Sequence, residues 1–150
     1  MNCDDETQLI AWQIGLLPVG VKVSFPNFLS IKPGIESIQL PCGTITGQFS
    51  EDMSDFKDLF WLTLIGNLLS GTFPPGFFDM SLANLNVGHN KFSGTSPARL
   101  GTLPFLQSLC VMANEFEGPL PDSLSDAQSL THLHLGFNDF VGLTLPAFWG

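Results

Sequence analysis

Leu106-Gln107-Ser108-Leu109-Cys110-Val111-Met112-Ala113-Asn114-Glu115-Phe116-Glu117-Gly118-Pro119-Leu120-Pro121 decides the fold, because its skeleton recurs on both sides of it. Downstream stands Leu130-x-x-Leu133-x-Leu135-x-x-Asn138-x-Phe140-x-Gly142. Upstream stand Leu82-x-x-Leu85-x-Val87-x-x-Asn90-x-Phe92-x-Gly94-x-Ser96-Pro97 and Leu59-x-x-Leu62-x-Leu64-x-x-Asn67-x-Leu69-x-Gly71-x-Phe73-Pro74. A first unit opens on Ile35-x-x-Ile38-x-Leu40, with Gly43 at the asparagine position and Ser50 at the proline position. Asn67, Asn90, Asn114 and Asn138 are separated by 23, 24 and 24 residues, and Gly47, Gly71, Gly94, Gly118 and Gly142 keep the same step. In the last unit the proline, Pro146, arrives one residue late. Self-similarity at such a fixed period marks a stack of identical supersecondary units.

Each recurring position has a mechanical reading. The L-x-x-L-x-L stretch alternates at its end, so it predicts a short strand with apolar residues turned inward. The asparagine follows where the chain leaves the strand, and its amide can satisfy backbone groups that the turn strands inside the coil. Stacked coils then form an asparagine ladder. The column Leu69/Phe92/Phe116/Phe140 predicts a stacked core spine. The glycine permits backbone conformations closed to other residues. The proline ends a second short extended stretch and begins the return on the far side. No coil buries its apolar edges alone, so stability comes from neighbour stacking.

These residues resemble the plant-type leucine-rich-repeat family, whose consensus is close to L-x-x-L-x-L-x-x-N-x-L-x-G-x-I-P-x-x-L-x-x-L-x-x. The resemblance implies an α/β, β-rich solenoid: a right-handed horseshoe with a parallel concave sheet and short 3-10 or irregular convex segments. It divides the chain into a divergent N-terminal cap over residues 1–34 and about five repeats over 35–150, with no C-terminal cap. Within the cap, Asp5-Glu6-Thr7-Gln8-Leu9-Ile10-Ala11-Trp12 is similar to the family's first capping helix, with acids in its first turn where the helix dipole favours them. The usual W…C-x-W-x-G-V-x-C element is missing. The family includes receptor-like protein and kinase ectodomains and inhibitors of cell-wall polygalacturonases. It thus implies a module that recognises a protein or peptide, outside the cell or at its surface. An enzyme inhibitor and a structural or assembly subunit are the alternatives.

Composition narrows the field. Apolar residues make up 44 % of the 150 residues and charged residues 13 %, which excludes a disordered polar chain. Fourteen acids against five bases leave a net charge of −9, opposite to what phosphate backbones or anionic bilayers attract. No apolar run is long enough to insert in a membrane, and Met1-Asn2-Cys3-Asp4-Asp5-Glu6 lacks the pattern of a signal peptide. Cys3, Cys42 and Cys110 are too few and scattered for a disulfide framework. A Cys3–Cys42 bridge and reduced, buried thiols both remain open.

Function is expected on the outward positions of the concave strands. In the second coil these include Phe60, Trp61 and Thr63; in the third, Ala83, Asn84, Asn86 and His89. The fourth contributes Gln107, Cys110 and Met112, and the fifth His132, His134 and Phe137. Glu36 is the one carboxylate among them, so the face is nearly neutral. Adjacent Phe60 and Trp61 cannot both point into the core, and exposed aromatics are the usual anchors of interfaces. His132 and His134 face the same way, but no third and fourth ligand converge on them, so no metal or other cofactor is expected. Cys110 and His134 occupy equivalent positions on neighbouring strands. Without an orienting carboxylate or oxyanion hole they read as a solvent-facing thiol beside an imidazole, not as a catalytic pair.

Overall fold

The computed structural model describes residues 24–25, 34–49 and 51–142. The proposed cap, Cys3, Pro146 and the segment where a C-terminal cap would stand lie outside the described residues. In chain order the strands are Ser24–Phe25 (β1), Ser37–Gln39 (β2), Thr46–Gly47 (β3), Trp61–Thr63 (β4), Leu68–Gly71 (β5), Asn84–Asn86 (β6), Lys91–Thr95 (β7), Ser108–Cys110 (β8), Glu115–Gly118 (β9), His132–His134 (β10) and Asp139–Phe140 (β11). The even-numbered strands form one parallel five-stranded sheet, ordered β10-β8-β6-β4-β2. This is the concave sheet, and each strand falls on the x-L-x centre of its repeat. The odd-numbered strands form a second, six-stranded sheet along one flank, ordered β1-β3-β5-β7-β9-β11. The second extended stretch read from each repeat is therefore a sheet strand in its own right.

The register follows the repeat. Ile38, Leu62, Leu85, Leu109 and Leu133 pair across the five concave strands. All but Leu133 are buried. The helical segments among the described residues are 3-10 turns: Glu51–Asp55, Pro75–Asp79, Leu100–Thr102 and Asp122–Asp126. Pro74 and Pro121 stand at the N-caps of two of them. Each locks an extended φ and ends the flank strand where the chain turns onto the convex side.

The asparagines form the expected ladder, and each amide ties two coils together. Asn114 Nδ2 donates to the Val111 carbonyl of its own coil and to the Val87 carbonyl of the preceding one, both at 3.0 Å. Its Oδ1 accepts the Phe92 N–H at 3.0 Å. Asn90 repeats the pattern with Val87, Leu64 and the Leu69 N–H. Asn67 does so with Leu64, Leu40 and the Ile45 N–H. The first coil has Gly43 at this position, and a Cβ built there would lie 2.6 Å from Asn67 Oδ1. The ladder begins at Asn67 because the glycine below it leaves room for that oxygen.

Phe92 and Phe116 stack with centroids 6.4 Å apart, and Phe116 and Phe140 at 6.2 Å, with interplanar angles of 7° and 4°. Phe49, Phe73 and Phe77 extend the aromatic core toward the first coil. Burying one such ring contributes about 2–3 kcal/mol. The repeat glycines Gly47, Gly71, Gly94, Gly118 and Gly142 all have positive φ.

A second left-handed column carries no glycine signal. The residue before the asparagine position has positive φ in every coil: Cys42 (55°), Gly66 (73°), His89 (53°), Ala113 (52°) and Phe137 (58°). Cys42 is disulfide-bonded, which removes the reduced-thiol alternative for it. Cys110 is free and buried.

Candidate functional site

The outward positions form two aligned rows across the concave sheet. One runs Ser37, Trp61, Asn84, Ser108, His132, and the other Gln39, Thr63, Asn86, Cys110, His134. Neighbouring strands lie about 4.8 Å apart. Trp61 and His132 are therefore about 14 Å apart at their backbones, a span that roughly five residues of extended chain would cover.

Phe60 and Trp61 are 45 % and 42 % exposed. The Trp61 indole N–H donates to Thr63 Oγ1 at 2.9 Å, which holds the ring along the face. Asn84 and Asn86 are half-buried, and Asn86 Oδ1 accepts the Gly88 N–H at 3.1 Å, so its amide is fixed. Gln107 is exposed and Met112 half-buried. His132 Nδ1 lies 2.9 Å from Thr131 Oγ1, and Thr131 is itself tied to the Gln107 carbonyl at 3.1 Å. His134 is exposed beside it. His89 and Phe137 sit off the strands, in the left-handed column at the lip of the face, and Phe137 is 82 % exposed.

Two expected outward residues are covered by their neighbours. Ala83 is buried, although Phe60, its equivalent one coil earlier, is exposed. A methyl group fits beneath the sheet edge where a phenyl ring does not. Cys110 is also buried and not solvent-facing. A Cβ built on Gly88 would lie 3.2 Å from both Cys110 Sγ and Met112 Cγ, so the thiol occupies the space that this glycine leaves open, with Met112 alongside. Burial pushes the Cys110 thiol above its ordinary pKa, and a hydrogen bond with the Met112 backbone pulls it back in part. A buried, protonated thiol is a poor nucleophile. Cys110 and His134 are register partners at the backbone, yet they form no activated pair. Among the described residues, no three His, Cys, Asp or Glu side chains converge as a metal site would require.

The outer face of the flank sheet is chemically mixed. Thr72 and Thr95 are exposed there with Leu68, Lys91, Glu115, Glu117 and Asp139. A regular threonine array, as ice recognition would need, is absent from these described strands.

Parallel coils closed by an asparagine ladder, a phenylalanine spine and a concave sheet with outward polar rows define a leucine-rich-repeat solenoid. The chain belongs to the plant-type leucine-rich-repeat family. It is 34 % identical to Arabidopsis thaliana receptor-like protein 39 over 125 residues, 81 % of this chain and 14 % of that protein. To Arabidopsis thaliana receptor-like protein 41 it is 35 % identical over 130 residues, 84 % of this chain and 14 % of that protein. The chain thus spans about 14 % of the length of these curated relatives. No protein-family profile matches it. The plant peptide hormone receptor RGFR1, solved in complex with RGF2, superposes with a TM-score of 0.74 at 26 % identity, over 79 % of this chain and 19 % of the receptor. A plant ice-binding protein superposes with a TM-score of 0.74 at 29 % identity, over 81 % of this chain and 40 % of that protein.

Proposed function

We propose that the concave face is a recognition surface for a peptide or an extended protein segment, and that the chain performs no catalysis. The observation that carries this reading is the pair of aligned rows on β2, β4, β6, β8 and β10. They are nearly uncharged, with an immobilised tryptophan toward one end and a histidine pair at the other. Fixed aromatics and pre-oriented amides lower the entropy lost on binding, and aromatics near the centre of an interface carry much of its energy. One structural neighbour, a plant peptide hormone receptor solved in complex with RGF2, supports the same reading. The receptor-like relatives support a location outside the cell or at its surface. No helix among the described residues is long and apolar enough to cross a membrane.

The test is to pan a displayed random peptide library on the 150-residue chain and titrate the recovered peptides against Trp61→Ser and His132→Ala. Each substitution is expected to weaken binding about tenfold, equivalent to about 1.4 kcal/mol. Recovered peptides that bind both variants as tightly as the parent would show that the concave face is not the site.

A further inference from the structure

A groove of about 520 Å³ opens where the concave sheet meets the turn entering the second coil. Phe60 and Trp61 line it, together with Glu36, Asp58, Ser37 and Lys57. Three features distinguish it from the rest of the face. It holds both exposed aromatics of the second coil, it holds Glu36, the carboxylate of an otherwise neutral surface, and it adds Asp58 from the preceding turn. Two carboxylates and one ammonium leave it with a net negative charge. Asp58 is held in place, because its Oδ2 accepts the Gly34 N–H at 3.2 Å. The Trp61 ring is held by Thr63 at 2.9 Å.

We propose that this groove is a subsite for a cationic side chain of the ligand, an arginine above all. A guanidinium is planar and weakly hydrated; it stacks on aromatic faces while its edge donates to carboxylates. Trp61 and Phe60 offer the faces, and Glu36 and Asp58 offer the acceptors. A neutral apolar side chain would use the rings and leave two carboxylates partly desolvated and unpaired, which costs free energy. An acidic side chain would meet like charge. The net charge of −9 on the whole chain favours approach of a cationic segment at long range. The proposal deepens the recognition reading of the same face and rests on it.

The direct probe is N-acetyl-arginine amide, titrated into the full chain and followed by the indole N–H resonance of Trp61 in a nitrogen-15 correlation spectrum. The resonance is assigned by its loss in Trp61→Phe, since the chain has three tryptophans. The expected result is a saturable shift in the millimolar range that weakens with added salt. N-acetyl-leucine amide should give no saturable shift. In Glu36→Gln combined with Asp58→Asn, the affinity should fall about tenfold while circular dichroism shows the fold unchanged. Both substitutions keep the side-chain size, and an asparagine oxygen still accepts from Gly34. No saturable shift with the arginine amide, equal shifts from both amides, or unchanged affinity in the double variant each overturns the subsite. Recovery of concave-face binders from the library alongside a failed arginine titration removes the subsite alone. An empty library alongside a positive titration narrows the recognition reading of this face to the single side-chain subsite.

Discussion

The asparagine side chains are the most demanding single residues in this protein, because Asn67, Asn90 and Asn114 are buried and serve backbone groups inside the coils. Leu64 O, Val87 O and Val111 O each accept from the asparagine of their own coil and from that of the next. Asn114→Ala would leave the buried Phe92 N–H without its acceptor and remove one donor from two carbonyls. An orphaned buried donor plus the small void left behind costs about 3 kcal/mol, to be read as a lowered urea midpoint with an unchanged slope. The left-handed column makes the opposite prediction. Ala113 holds φ at 52°, a conformation that costs an L-residue about 1–2 kcal/mol, part of which a glycine returns through its looser unfolded state. Ala113→Gly is therefore expected to stabilise by about 0.5–1 kcal/mol in the same denaturation assay, against the usual penalty for introducing glycine. The two columns also differ in how legible they were. The asparagines repeat as one residue type, so their role could be read from spacing. The left-handed position is filled by Cys42, Gly66, His89, Ala113 and Phe137. Only a shared backbone geometry unites them, and that leaves no mark in composition.

At the scale of the element, the turns on the convex side pack directly against one another, most closely at Gly101. Gly101, in the 3-10 turn Leu100–Thr102, lies against the next coil's turn, and its N–H donates to Ser123 Oγ at 3.2 Å. A Cβ added there would collide with the Ser123 carbonyl and the Leu124 backbone nitrogen. Those are backbone atoms and cannot rotate away. Gly101→Ala should therefore part the two coils and cost about 2–3 kcal/mol, although alanine is the better helix former on propensity alone. A variant as stable as the parent would show that the convex turns slide freely. The concave strands were legible because apolar and polar residues alternate along them. The flank strands were legible as extended segments only. Their assembly into a six-stranded sheet depends on pairing between coils, and no single repeat carries that information. The outward residues were legible wherever side-chain size forced them out, as at Phe60 and Trp61. Ala83 and Cys110 were misplaced because a small side chain at an outward register position can still be covered by its neighbours.

At the scale of the whole molecule, stability in a solenoid is a sum over neighbouring interfaces, and burial along this one is uneven. Leu106, Leu109, Val111 and Phe116 of the fourth coil are buried, whereas their equivalents Leu130, Leu133, Leu135 and Phe140 in the fifth are only partly so. The fifth coil also contributes a weaker asparagine rung: Asn138 is half-buried where Asn114 is buried. Less apolar area removed from water means a smaller free energy for local opening. The amides of Leu64 and Val87, bonded to Asn86 O at 2.8 Å and Cys110 O at 2.9 Å, lie in the middle of the stack and should exchange with solvent most slowly. Those of Thr131 and Val141, bonded back to Gln107 O at 2.8 Å and Gly118 O at 2.9 Å, should exchange faster by about a hundredfold, equivalent to about 3 kcal/mol, despite equally short hydrogen bonds. Hydrogen exchange resolved by residue distinguishes the cases. A protection gradient falling from the third coil to the fifth would show that the coils of this 150-residue stretch open in sequence. Uniform protection would mean that interface coupling exceeds the difference in burial, so that the whole concave surface forms and is lost as one unit.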